Sequence, residues 1–202
     1  MLLGACNSDV GGPTGLAPSG VALSRGAAHS NPGNGNNKVL APGETEVYVF
    51  TILPGEANEL SMGTPVLEMP AWSVCAAGSG YGTGTWDKPC TAETKPVTIT
   101  ATVIGTSTYP RVDFEPAMRF NPASGDVQLF MFARHASSDA ASKFSILYCS
   151  GVSQTHCDDE AKHDPTLVTQ FSKRGNEVFR RIRHFSGYVV AENDGTPAPG
   201  LQ

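Results

Sequence analysis

Val97-Thr98-Ile99-Thr100-Ala101-Thr102-Val103-Ile104 sets an apolar residue at almost every second position with threonines between them, the period-two pattern of a strand with one face buried. Immediately before it runs Ala71-Trp72-Ser73-Val74-Cys75 through Trp86-Asp87-Lys88-Pro89-Cys90, a loop framed by two cysteines in which Gly78, Gly80, Gly82 and Gly84 alternate with Ser79, Tyr81 and Thr83. A stapled loop feeding a pleated strand is the theme on which the rest of the chain is built.

The same pattern recurs outward from this stretch. Arg111 to Glu115 alternates with Val112 and Phe114 inward, and Val127 to Ala133 is apolar enough that both of its sides should be covered. Lys143 to Cys149, Thr166 to Phe171 and Tyr188 to Ala191 add further strands. Glu46 to Leu53 is apolar on both faces and is expected inside the sandwich. Thr64 to Pro70, with a proline near each end, suits an edge. Glu177 to Phe185 is ambiguous, since Val178, Ile182 and Phe185 also fit helical spacing; its length and neighbours favour a strand. With 22 Gly and 15 Pro as punctuation and no long amphipathic heptads, the fold class is all-β, an antiparallel β-sandwich.

The 202 residues divide unequally. Of the 32 residues from Asn7 to Lys38, 19 are Gly, Pro, Ser or Asn, a composition that resists regular packing and would span roughly 30 Å as a flexible coil. Residues 1–6 read as the remnant of a lipoprotein signal, 7–44 as a tether, 45–192 as the sandwich and 193–202 as a flexible Gly and Pro tail. Leu3-Gly4-Ala5-Cys6 resembles a bacterial lipobox, which makes Cys6 the candidate lipidation site and the membrane a partner through that anchor. A basic stretch and a long apolar run before it are missing from these six residues.

The other four cysteines, Cys75, Cys90, Cys149 and Cys157, fall into two sequence-local pairs, although four cysteines formally allow three connectivities. On a chain-entropy model, local bridges would contribute roughly 3 and roughly 2.5 kcal/mol. They also imply an oxidising, extracytoplasmic location, on the periplasmic side or outer surface of a cell envelope. The formal net charge of -5 lacks the basic footprint of a nucleic-acid binder.

Val112-Asp113-Phe114-Glu115-Pro116-Ala117-Met118-Arg119-Phe120-Asn121-Pro122, then Val127-Gln128-Leu129, and finally Ile182-Arg183-His184-Phe185-Ser186-Gly187-Tyr188-Val189-Val190 together resemble the ZU-five domain, the β-sandwich of zona occludens and netrin-receptor proteins. The likeness covers roughly Gly63 to Ala191. The Cys75 to Cys90 loop, with Tyr81-Gly82 and Trp86-Asp87, looks more like bacterial lipoproteins that carry a ZU-five-like fold. The resemblance implies a scaffold that docks other proteins. It also implies an alternative, because certain related domains cut their own backbone between Phe and Ser of a His-Phe-Ser tripeptide. Here Ser186 would attack the Phe185 carbonyl and His184 would accept the hydroxyl proton.

Three other clusters bear on function. Lys173, Arg174, Arg180, Arg181 and Arg183 hold five of the 14 basic residues; Arg180, Arg181 and Arg183 could contact an acidic protein or anionic head groups, or simply guard an outward strand face. Tyr81 and Trp86 could form a stacking platform for a sugar or wall polymer, or could cover the disulfide and cap the core. Cys149, His156, Cys157, Asp158, Asp159, Glu160, His163 and Asp164 lack the spacing of a zinc or calcium site and read as a solvated acidic loop. No metal or cofactor is expected. The expectation is therefore a non-enzymatic, lipid-anchored interaction module binding a protein partner, one version of which is an accessory subunit of a membrane complex. Self-cleavage at Phe185–Ser186 and carbohydrate binding are the alternatives.

Overall fold

The computed structural model describes residues 40–106, 109–132, 143–150, 156–172 and 177–192. Cys6, residues 7–39 of the tether, Lys173, Arg174 and the C-terminal tail lie outside the described residues. Eleven strands among the described residues form two antiparallel sheets: β1 (Thr45–Ile52), β2 (Asn58–Ser61), β3 (Val66–Met69), β4 (Val97–Ile104), β5 (Arg111–Glu115), β6 (Val127–Phe132), β7 (Phe144–Ser150), β8 (His156–Asp158), β9 (Gln170–Ser172), β10 (Glu177–Ile182) and β11 (Gly187–Glu192). The first sheet runs β1-β4-β5-β11-β7-β8 and the second β2-β3-β6-β10-β9.

Alternation puts one face of the longer strands into a shared core. Ile99, Ala101 and Val103 of β4 and Val112 and Phe114 of β5 meet Leu129 and Met131 of β6 and Val178 and Ile182 of β10. The threonines of β4 face outward. Phe185, between β10 and β11, packs on Phe114 and Phe120 with ring centroids 5.1 and 4.8 Å away.

Both local cysteine pairs are bonded, Cys75 to Cys90 and Cys149 to Cys157. The all-β class and the strands at Val97, Arg111, Val127, Phe144 and Tyr188 are found as the sequence indicates. Glu177–Ile182 is a strand, which resolves the helical ambiguity.

Three expectations are corrected and two strands are new. β1 is an edge strand, paired only with β4; Phe50 and Ile52 are buried, but Val47 and Val49 on its other face are 57% and 49% exposed. Val66–Met69 is not an edge, since β3 lies between β2 and β6. The start of the Thr166 to Phe171 stretch is a 3-10 turn, Pro165–Leu167, capped by Asp164, and only Gln170–Ser172 pairs. Finally, β2 and β8, of four and three residues, are too short for periodicity to register.

A bulge opens the first sheet. Gly43, at φ +81°, donates to the Gly105 carbonyl while the Gly105 amide donates to Glu44, each at 2.8 Å. This two-against-one arrangement requires the left-handed backbone that glycine tolerates, and it fixes the hydrogen-bonding phase of the β1–β4 ladder.

Candidate functional site

The end of the sandwich beneath the Cys75–Cys90 loop gathers most of the residues singled out in the sequence. The loop is organised by Arg119, which is 4% exposed. Its guanidinium donates to the carbonyls of Ser79, Gly80, Thr85 and Lys88 at 3.0, 3.0, 2.9 and 2.6 Å. Cys75 N donates to Arg119 O, Phe120 N to Arg183 O, and Phe185 N to Met118 O, so the Met118–Phe120 segment stitches the loop to the β10–β11 turn. A lone arginine in a Met-Arg-Phe context carries no sequence mark of this role.

The loop delivers Trp86 inward. Its ring stacks on His184 with centroids 4.0 Å apart, and the Arg183 guanidinium lies 5.2 Å from its centroid. Trp86 is 6% exposed and Tyr81 44% exposed, meeting at 76°, so they form a core cap and not an open side-by-side platform. The exposed indole is instead that of Trp72, 49% exposed, which lies against Gly55 and has a φ of +63°.

The arginine run is neutralised from within the chain. Val178, Arg180 and Ile182 share the inward parity of β10, and Arg180 is fully buried. It donates to Ile146 O at 2.6 Å and to Glu160 Oε2 at 2.5 Å. Arg183 donates to Glu160 Oε1 at 2.7 Å and to Asp87 Oδ2 at 2.8 Å, and lies 3.5 Å from Asp164. Arg181, the most exposed of the three at 23%, faces Asp87 and Asp126 at 3.6 and 3.5 Å. Arg180 is therefore unavailable to a surface partner, because a guanidinium at a core position must find its counter-charge inside.

Nor is the acidic loop merely solvated. Glu160 is 6% exposed. Burial would raise its carboxyl, but His184, Arg180 and Arg183 outweigh that and hold it down to about 2. His184 Nε2 stands 3.8 Å from Glu160 Oε1, beyond hydrogen-bond reach, so the two guanidinium groups make the direct bonds. Asp159 and Asp164 cap the 3-10 turns at Glu160–Lys162 and Pro165–Leu167.

At His184-Phe185-Ser186 the structure turns out of β10, and the strand parity that would have put His184 and Ser186 on one face is lost. Burial pushes the His184 imidazole below its ordinary value, against the opposing pull of Glu160. Its Nδ1 lies 3.4 Å from the Tyr81 hydroxyl and 3.5 Å from that of Tyr188. Ser186 Oγ donates to Cys149 O at 3.2 Å. The Tyr81 hydroxyl donates to Phe185 O at 3.0 Å; burial and the charges of Tyr148 and Glu160 push it up to about 12, against a hydrogen bond with Ser186, so it remains a donor at neutral pH. The carbonyl of the Phe185–Ser186 bond is thus polarised, but His184 is aimed at the tyrosines and Glu160, not at Ser186.

An open pocket of about 540 Å³ lies on the outer face of the first sheet, lined by Thr98, Thr100, Glu115, Pro116, Phe185 and Ser186 among others. Through the β1–β4 register, Val49 faces Thr100 and Thr51 faces Thr98, so the exposed valines and this pocket belong to one surface. Trp86 Nε1, Arg183 Nε and His184 Nε2 are buried without a hydrogen-bond partner among the described residues. Compared with protein-family models, curated proteins and solved structures, the chain finds no match.

Proposed function

We propose that this chain is a non-enzymatic interaction module of ZU-five-like type, held outside the cytoplasm by a lipid on Cys6, that docks a protein partner at the cell envelope. The observation that carries this reading is the outer face of β1, where Val47 and Val49 remain 57% and 49% exposed. Apolar residues on a solvent-facing sheet surface have a use when another surface covers them. The rival surface is weaker: Arg180 is buried, and Arg181 and Arg183 face carboxylates of their own chain. The two disulfides suit an oxidising compartment. A photo-cross-linking residue placed at Val49 in envelope-bearing cells tests the docking face. A discrete adduct at Val49, absent when the residue is placed at exposed Val168, is the expected result; labelling at both positions alike, or at neither, refutes it. Failure of Cys6→Ser to release the protein from membranes refutes the anchor.

A second reading draws on one contact, the Tyr81 hydroxyl on the Phe185 carbonyl. A donor at that oxygen would stabilise charge developing there during attack by Ser186. Mass spectrometry under denaturing conditions separates the two readings: a released Ser186 to Gln202 peptide supports self-cleavage, and intact chain alone eliminates it.

A further inference from the structure

The edge of β1 specifies what it can pair with. Among the described residues the other three sheet edges are short, four residues in β2 and three each in β8 and β9, whereas β1 offers eight. Native edges are usually blunted by proline, lysine or brevity, and Thr45-Glu46-Val47-Tyr48-Val49-Phe50-Thr51-Ile52 contains neither residue. Its one charge, Glu46, is held by the Tyr48 hydroxyl at 2.7 Å.

The bulge sets which backbone groups face away from β4. Because Gly105 N bonds to Glu44 O, the pairs Glu46–Val103, Tyr48–Ala101 and Phe50–Ile99 are the hydrogen-bonded ones. Alternation then directs the N–H and C=O of Thr45, Val47, Val49 and Thr51 to the open edge. These are also the residues whose side chains are exposed on the outer face. Their order, Thr-Val-Val-Thr, is the same in either direction about Tyr48.

We infer that β1 pairs with β1 of a second copy of this chain, antiparallel, about a two-fold axis through Tyr48. This rests on the proposed use of the β1 face for docking and names its occupant. In that register Val47 faces Val49 of the second copy and Thr45 faces Thr51, with two backbone hydrogen bonds per facing pair. Glu46 faces Phe50 and Glu44 faces Ile52, so no like charges oppose each other. Joining the two six-stranded sheets removes both long edges and sets four valines side by side on one face. An isologous contact of this kind closes on itself and does not propagate.

The test uses the full chain with Cys6→Ser, so that a lipid does not itself cause association. Sedimentation equilibrium is expected to give twice the 21.2 kDa chain mass. Val49→Pro removes an amide that β4 does not use, so at concentrations too dilute for association it should leave the unfolding midpoint nearly unchanged, while weakening the dimer about tenfold or more, since the symmetry deletes two bonds. The register is tested by mixing Val47→Cys chains with Val49→Cys chains: a disulfide should form in the mixture and not in either variant alone, because facing Cα atoms about 5.5 Å apart are within bridging range. A monomeric chain, a dimer indifferent to Val49→Pro, or cross-linking as strong in one variant alone overturns the inference. If the chain is monomeric but the Val49 photo-cross-link still captures a different protein, this inference fails and the docking face stands.

Discussion

Replacing Glu160 with glutamine keeps the shape of the side chain and removes the charge that faces two guanidinium groups. Arg180 has no exposed side-chain surface, and its other bonds are to the carbonyls of Ile146 and Arg181. Breaking a buried pair from one side costs about 3–5 kcal/mol, because the remaining charge is stranded. The carboxyl supplies a second route to the magnitude. Held at about 2 against an ordinary 4.5, it contributes about 3 kcal/mol at 1.36 kcal/mol per pH unit. The sign follows from the lowered folded value: this stability is complete above pH 4.5 and is lost as pH falls through 4.5 toward 2. His184 acts in the same direction at higher pH, because a buried neutral imidazole resists the proton that the unfolded chain accepts below 6.5. Urea unfolding at pH 7 should therefore show Glu160→Gln less stable by about 3 kcal/mol with an unchanged slope. Between pH 4.5 and 2 the variant should lose less stability than the parent. A loss below about 1 kcal/mol, the range of an exposed ion pair, would refute the view that this charge centre is buried and mutually dependent. So would parallel pH profiles.

Other perturbations follow from the same geometry. Arg119→Met should cost about 2–4 kcal/mol by leaving four loop carbonyls without their donor, and limited proteolysis should then cut within Gly78 to Gly84, where the parent resists. Gly105→Ala would drive a Cβ into the Ala41 carbonyl and Leu40, both at the root of β1, and a thermal melt should show a loss of about 1–3 kcal/mol. The two tryptophans should respond oppositely to acrylamide. With Trp86→Phe the remaining Trp72, 49% exposed, is readily quenched, and with Trp72→Phe the remaining Trp86, 6% exposed, is shielded.

Local alternation made the fold legible. Val97 to Ile104 carries its own face assignment, as do Val112 with Phe114, and these need no knowledge of the partner strand. The position of β1 could not be read the same way. Two apolar faces mark a strand covered on both sides, and pairing order decides whether the cover comes from this chain. The arginine run was half legible. Arg180 has the parity of Val178 and Ile182, so a strand there already implied a buried guanidinium. Its counter-ion, Glu160, lies 20 positions away, in a loop whose acidic composition gives no hint that one carboxylate turns inward. Trp86 was hidden for a similar reason: its burial depends on the loop closing over His184, and four carbonyls caught by Arg119 close it.

If β1 is the docking face proposed above, the charge centre and the valine face divide stability from recognition. Glu160 joins the 3-10 turn after β8 to β10 through Arg180 and to the Cys75–Cys90 loop through Arg183 and Asp87. A partner drawing on those side chains would first have to break contacts that hold the sandwich end closed, at a cost of several kcal/mol. Val47 and Val49 incur no such cost. They touch the outer face alone, and the backbone groups they turn outward are not used by β4. Substitutions at Val47 or Val49 should therefore change association and leave the unfolding midpoint of dilute, monomeric chain in place, whereas Glu160→Gln should lower the midpoint and leave the affinity of the folded protein in place. Measuring both quantities on both variants separates the two roles. A Val47 or Val49 substitution that unfolds the chain, or a Glu160 substitution that selectively abolishes association, would show that the two surfaces are one.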